Sequence, residues 1–289
     1  MSAGAMTALS VAQLLGYVGF VALGGLLMFR ALITPERGRE RRVVRIALVG
    51  LGLLVVSMVV RLAVMLTTVR ESSATRFGMP VALVQLGVLV AVACYLPDLL
   101  GTALTAWRRG LAVAAAVALA IVVVLPMILG TSVRSAAGAV ITVAHVLAIG
   151  TWVGGMVAVA LLVLPSGAGP RVLAVLQVIL RRSRGKVVLL IVVLVVSGLL
   201  ALLVQPGRVS GLSTEFWVLL LAKVVLFAAL IAAAARVRQQ IERAVFRSEH
   251  IAESGDSLVA LRRVVRVEMV VAAAAIAATA VLTVLTPLS

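Results

Sequence analysis

The chain has 289 residues, of which 63% are hydrophobic, and its formal net charge is +16. A mean hydropathy of +1.24 excludes an ordinary soluble domain, which is nearer half apolar. The single cysteine excludes both an intramolecular disulfide and a multi-cysteine metal site.

Apolar runs long enough to cross a bilayer as helices recur along the whole chain. They lie at residues 12–33, 46–67, 80–100, 111–130, 139–165, 187–204, 216–235 and 267–288. The sequence therefore predicts an all-α polytopic membrane protein with eight transmembrane helices. We divide it into two four-helix membrane halves, residues 1–135 and 136–289.

Arginines are concentrated in alternate connections between these runs. The first, third, fifth and seventh connections are rich in arginine, and those between them hold few basic residues. By the positive-inside rule the rich connections are cytoplasmic, so both termini face outside. The positive charge then faces anionic lipid, and we expect membrane lipid, not nucleic acid, as its partner.

Two cytoplasmic connections carry patterns of their own. Residues 172–180 are apolar, too short to cross a membrane and flanked by arginines, which predicts a separate short helix in the membrane interface. Residues 237–266 form the longest polar segment and predict a helical hairpin in the cytoplasm.

The fifth predicted helix carries His145, the one histidine within an apolar run. Helical spacing places His145, Trp152 and Met156 on one face, with Gly150 and Gly154 roughly opposite. The two glycines form a GxxxG pattern, which predicts close approach by a neighbouring helix. An ionisable residue inside a membrane is a functional candidate, the alternative being a histidine that only bonds within the helix bundle.

A weak internal repeat links this helix to the first one. The residues Gly24, Gly25 and Pro35 match Gly154, Gly155 and Pro165 at a constant offset. Because each predicted half contains four helices, such a repeat would be parallel.

Polar side chains from four predicted helices share one depth. The residues His145, Arg61, Gln85 and Lys223 all come out at roughly 8–12 Å below the outer surface. This coincidence predicts a water-accessible cavity that opens outward, with Trp152 also lining it. The alternative is that each polar side chain serves its own helix locally.

Soft donor atoms lie on the same side. Met65, Met79 and Met127 fall at the outer ends of predicted helices. Thioethers with one imidazole suit Cu(I) and not the oxygen-preferring metals, so we expect His145 as the nitrogen ligand, with Met156 further along the path. For each methionine alone, apolar packing is the alternative.

At the cytoplasmic end, Glu268 lies within the first turn of the last predicted helix. A carboxylate there is expected to form a structural ion pair with a guanidinium, and we assign Arg236 as the partner. No catalytic triad, carboxylate pair or phosphate-binding loop can be assembled, so the sequence predicts no enzyme.

The pattern H-x6-W-V-G-G, from His145 to Gly155, resembles the signature helix of the copper resistance protein D (CopD) family of bacterial inner-membrane proteins. The stretch FWVLLLAKVVLF around Lys223 and the closing LRRVVRVEMVV with TAVLTVLTP are also similar to that family. The resemblance implies copper tolerance and copper movement across the inner membrane, with an extracytoplasmic copper-binding protein as partner. Two other hypotheses stay open: a haem b electron carrier with His/Met ligation, and a ligand-free subunit of a membrane complex.

Overall fold

A computed structural model describes residues 3–33, 41–68, 72–100, 105–129, 135–164, 170–203, 214–250 and 255–285. Nearly all of these residues are helical, because a backbone in hydrocarbon must satisfy its hydrogen bonds within the segment. The helices are α1 (Ala3–Phe20), α2 (Leu26–Ile33), α3 (Arg41–Thr68), α4 (Ser72–Leu99), α5 (Ala106–Leu129), α6 (Ala136–Val163), α7 (Pro170–Leu203), α8 (Thr214–His250) and α9 (Gly255–Leu285). The prediction of an all-α polytopic membrane protein is confirmed.

Within the described residues, seven stretches are long and apolar enough to cross a membrane. They are Thr7–Leu32, Arg42–Val64, Met79–Leu99, Ala106–Leu125, Ala136–Leu161, Val175–Ala201 and Leu220–Arg243. The eighth predicted run, residues 267–288, falls on α9 but extends past the last described residue. Its crossing, and the outside location of both termini, stay predictions.

A π-helical turn, Val21–Gly25, joins α1 to α2 in one continuous rod. This turn packs against the Gly150–Gly154 face of α6, and a Cβ atom on Gly154 would lie 2.7 Å from the Gly25 Cα. A side chain at either position would push the two backbones apart. The predicted close approach at the GxxxG pattern is therefore confirmed, and its partner is the first helical rod.

The two predicted halves share a hydrophobic core. The largest buried cluster joins Phe20, Leu54 and Leu119 of the first half to Val146 and Ala280 of the second. A second cluster, which includes Trp152, joins α6, α7, α8 and α9 and also contains Val21 of the first rod. The division at residue 135 stays a prediction.

The prediction of a separate interfacial helix at residues 172–180 is wrong. Helix α7 runs without interruption from Pro170 to Leu203. Leu176 and Ile179 are buried against neighbouring helices. The intervening polar residues include no proline, so nothing in this stretch ends the helix.

The longest polar connection does form a helical pair, as predicted. Helix α8 continues beyond its apolar part to His250, and α9 begins at Gly255. The two helices pack along each other, which places the first turns of α9 beside the last turns of α8.

Candidate functional site

The imidazole of His145 is held by a neighbouring helix. Its Nδ1 atom lies 2.9 Å from the Oγ atom of Ser197 on α7. The serine hydroxyl has a single proton, and Oγ lies 2.5 Å from the carbonyl oxygen of Val193, one turn earlier on α7. The serine therefore donates to Val193 and accepts from His145.

This arrangement fixes the tautomer of the histidine. Because Ser197 Oγ accepts, we assign the imidazole proton to Nδ1. Nε2 is then left unprotonated, and an imidazole with one nitrogen hydrogen-bonded and the other unprotonated is the form that binds metals.

Two further residues bear on the ring. Lys223 on α8 lies near enough to act electrostatically on His145, while a cavity shared by the two side chains stays a prediction. Gly198 on α7 leaves room beside the ring, since a Cβ atom there would stand 3.8 Å from His145 Cε1. Lys223 makes no hydrogen bond or ion pair with any residue that the structure describes.

Trp152 and Met156, predicted on the His145 face, are buried in the cluster between α6, α7, α8 and α9. The Trp152 ring meets the Phe227 ring edge to face, with centroids 5.6 Å apart. Met156 packs in the same apolar cluster. From His145 to Met156 the helix rises roughly 16 Å, so the two side chains cannot bind one ion together.

Arg61 and Gln85, the other two polar residues predicted at the depth of His145, form hydrogen bonds with residues other than His145. Arg61 on α3 donates to the Oε1 atom of Gln13 on α1. Gln85 on α4 donates from Nε2 to the carbonyl oxygen of Val122 on α5, at 2.8 Å. These contacts are the local roles that the sequence left open as an alternative, and a common cavity with His145 stays a prediction for both residues.

The outer methionines lie on helices of the first half. Met79 on α4 is 56% exposed. Helix α4 packs mainly against α3 and α5, and α3, which carries Met65, packs mainly against α1 and α4. Met127 lies on α5, which does pack against α6, one turn beyond the buried Val124. The side chains of Met65 and Met127 lie outside the part of the chain that the structure describes, and the ligand role of all three methionines stays a prediction.

The predicted ion pair between Glu268 and Arg236 does not form. Both side chains are described, and neither makes a hydrogen bond or ion pair within the described residues. Arg236 is exposed on α8, whereas Glu268 is only 4% exposed on α9. The pairing assumed that Arg236 turns inward, but the buried face of α8 at this level presents Val237 instead.

No group of three or more histidine, cysteine, aspartate or glutamate side chains within the described residues could hold a metal ion. A metal site here would therefore combine His145 with sulfur, backbone or solvent donors.

Ser197 is the site residue that the sequence analysis missed. The signal was present as a repeat, because LVVS occurs at residues 54–57 and again at 194–197. In the first copy, Ser57 on α3 donates to the carbonyl oxygen of Ala12 on α1 at 2.6 Å. Both serines thus join corresponding helix pairs, α1 with α3 and α6 with α7.

Residues 177–282 match the family described as CopD, Copper resistance protein D. The predicted resemblance is confirmed over this stretch, which contains Ser197, Lys223 and Glu268, and the chain is a polytopic membrane protein that is similar to this family over these residues. The match begins after α6, so it does not include the H-x6-W-V-G-G pattern of His145. No curated protein and no solved structure matches the chain.

Proposed function

We propose that this protein binds copper at His145 and moves it across the bacterial inner membrane. The family description of residues 177–282 points to copper resistance. The observation that carries the site is the His145–Ser197 hydrogen bond, because it orients the imidazole and leaves Nε2 unprotonated inside the helix bundle. A neutral imidazole is a suitable ligand for Cu(I).

The site faces outward if the arginine-rich connections are cytoplasmic. Copper then arrives from outside, delivered by an extracytoplasmic copper-binding protein. The outer methionines Met65, Met79 and Met127 are candidates for capturing it, since thioethers bind Cu(I) without deprotonation. Met127 belongs to α5, which packs against α6.

Lys223 tunes this site and does not bind the metal. An ammonium group disfavours a cation nearby and would lower the affinity of His145 for copper. A weakened site releases its ion more readily, which suits transport better than storage.

The test is copper tolerance and copper accumulation in cells that express wild type, His145→Ala or His145→Met at equal membrane levels. His145→Ala should change both quantities, and His145→Met should retain more of the wild-type behaviour because it restores a soft donor. His250→Ala is the control, since His250 is the other histidine of the chain and lies outside every apolar run. Equal copper behaviour in wild type and His145→Ala would remove His145 from the proposed function.

A further inference from the structure

Buried polar groups inside this helix bundle are almost all paired. Eight polar or charged side chains are buried in the described part of the chain, and Glu268 is the one carboxyl group among them. Seven have hydrogen-bond partners, and Glu268 alone of the eight has none among the residues that the structure describes. The paired seven are Gln13, Arg30, Ser57, Gln85, Thr151, Ser183 and Ser197.

Glu268 lies on a continuous buried face of α9. Val265, one turn before it, packs in the cluster of Val163 and Val237. Ala272, one turn after it, packs in the cluster of Trp152. The carboxyl group therefore lies between two apolar clusters, in the core formed by α6, α8 and α9.

No positive charge among the described side chains compensates it. Lys223 lies roughly 16 Å from Glu268 along the helix axes, counted from Lys223 to Leu230 on α8 and from Ala272 back to Glu268 on α9. On α9, Arg262 is engaged with the Val163 carbonyl, and Arg263 and Arg266 are exposed. The charged and titratable side chains on the neighbouring helices are either exposed or already have partners. Arg236 and Arg243 are exposed, and Arg238 pairs with Glu242. Lys186 and Arg30 donate to the carbonyl oxygens of Leu32 and Leu99, and His145 and Tyr17 have partners of their own.

An ionised carboxylate without a partner is strongly disfavoured in such a core, so the group takes up a proton instead. A cation that enters the core removes this penalty, because it supplies the missing charge. The proton then leaves the carboxyl oxygen for water as the cation arrives. One proton exchanged for one monovalent cation leaves the net charge of the core unchanged.

We propose that Glu268 is a proton-binding site, whose carboxyl group carries a proton at neutral pH and releases it when a monovalent cation occupies the core of α6, α8 and α9. The cation half of this exchange rests on the proposed copper function, whereas the proton half does not.

The proton half is tested by infrared spectroscopy of the purified full-length protein across a range of pH. The wild type should show the carbonyl stretch of a protonated carboxyl group at neutral pH, and the band should fade as the pH is raised. Glu268→Gln should lack the band. Glu242→Gln should keep it, because Glu242 is exposed and paired with Arg238. A wild type without the band, or a Glu268→Gln variant that retains it, overturns the proposal.

The cation half is tested by adding Cu(I) to the detergent-solubilised protein in weak buffer and following the pH with a dye. The wild type and Glu242→Gln should release protons as copper binds. Glu268→Gln should bind as much copper with proton release reduced to background. Equal proton release from Glu268→Gln overturns the exchange. A wild type that binds no copper removes the proposed function and the cation half together, while the infrared result still decides the proton site.

Discussion

His145 depends on a hydrogen bond that its own helix does not supply. The Ser197 hydroxyl accepts from Nδ1 because its own proton is committed to Val193. The orientation of the ring and its tautomer are therefore properties of the contact between α6 and α7. Ser197 would therefore affect the binding of a metal ion at Nε2 without contacting the metal.

Ser197→Ala removes this acceptor and should lower the copper affinity of purified protein by roughly 10–100-fold, the usual effect of losing a hydrogen bond behind a metal-binding histidine. Ser57→Ala is the matched control, because that serine makes the equivalent interhelical contact in the first half, away from His145. The affinity is measured by competition with a Cu(I) chelator. Equal affinities for wild type and Ser197→Ala would show that the hydrogen bond does not support the site.

Lys223→Met should leave bound copper in place and strengthen its binding, because it removes a like charge that acts on His145. The same chelator competition measures it. Loss of copper from this variant would mean that Lys223 supports the metal site directly, against the role assigned to it above.

At this scale the sequence identified His145 and Lys223 because an ionisable side chain in an apolar run is conspicuous. It could not identify Ser197, since serine is common in membrane helices and its role depends on which helix lies opposite. The prediction that Glu268 pairs with Arg236 was wrong for a related reason. A small rotation of the helix decides whether Arg236 faces the core or the surface, and the sequence does not give that rotation.

Three helix C-termini on the predicted cytoplasmic side are stabilised by the same kind of contact. The last carbonyl groups of a helix lack partners within it and carry the negative end of the helix dipole. Three of these ends are each met by a basic side chain from another helix. The donor and acceptor pairs are Arg30 with Leu99, Lys186 with Leu32, and Arg262 with Val163.

Arg262→Met should therefore destabilise the folded protein by about 1–2 kcal/mol, the contribution of a charged hydrogen bond at a helix C-terminus. Arg263→Met carries the same change of charge at an exposed neighbouring position and should have little effect. Thermal unfolding in detergent measures both. Equal melting temperatures for the two variants would show that the contact with the Val163 carbonyl adds no stability.

Gly154→Ala should lower the yield and melting temperature of folded protein, because the added carbon would collide with the backbone of Gly25. Overpacking of this kind costs about 1–3 kcal/mol. At Gly87 the added carbon meets open space, so Gly87→Ala is the control. Normal folding of Gly154→Ala would mean that the first rod and α6 can separate without loss.

The helices themselves were predictable from the length of their apolar runs, and the glycine contact from the GxxxG spacing. The continuity of α7 was not, because an apolar stretch beside arginines looks the same in sequence whether it lies in the interface or extends a transmembrane helix. Burial of Leu176 against other helices decides the matter, and that is a tertiary contact.

Across the whole molecule, the two predicted halves contain related helix pairs but differ in polar content. The corresponding serines Ser57 and Ser197 each tie two helices together. Only the second half adds a histidine at that contact. The repeat was visible in the sequence as matching glycines, whereas its consequence, contact between the Gly24–Gly25 region and α6, required the fold.

Membrane orientation follows from the alternation of arginine-rich connections and can be tested directly. A reporter that is active only in the cytoplasm should be active when fused after Arg184 or Glu253 and inactive when fused after Ser289. Activity at Ser289 would contradict the eight-helix arrangement. Activity there together with inactive fusions after Arg184 and Glu253 would place the His145 site at the opposite surface.

The most direct test of the central claim is the copper content of purified protein after loading with Cu(I), compared between wild type and His145→Ala at equal protein concentration. A copper site built on the unprotonated Nε2 of His145 predicts bound copper in the wild type and its loss in His145→Ala, with His250→Ala unchanged. Equal copper in wild type and His145→Ala would contradict the account and place the copper site away from α6.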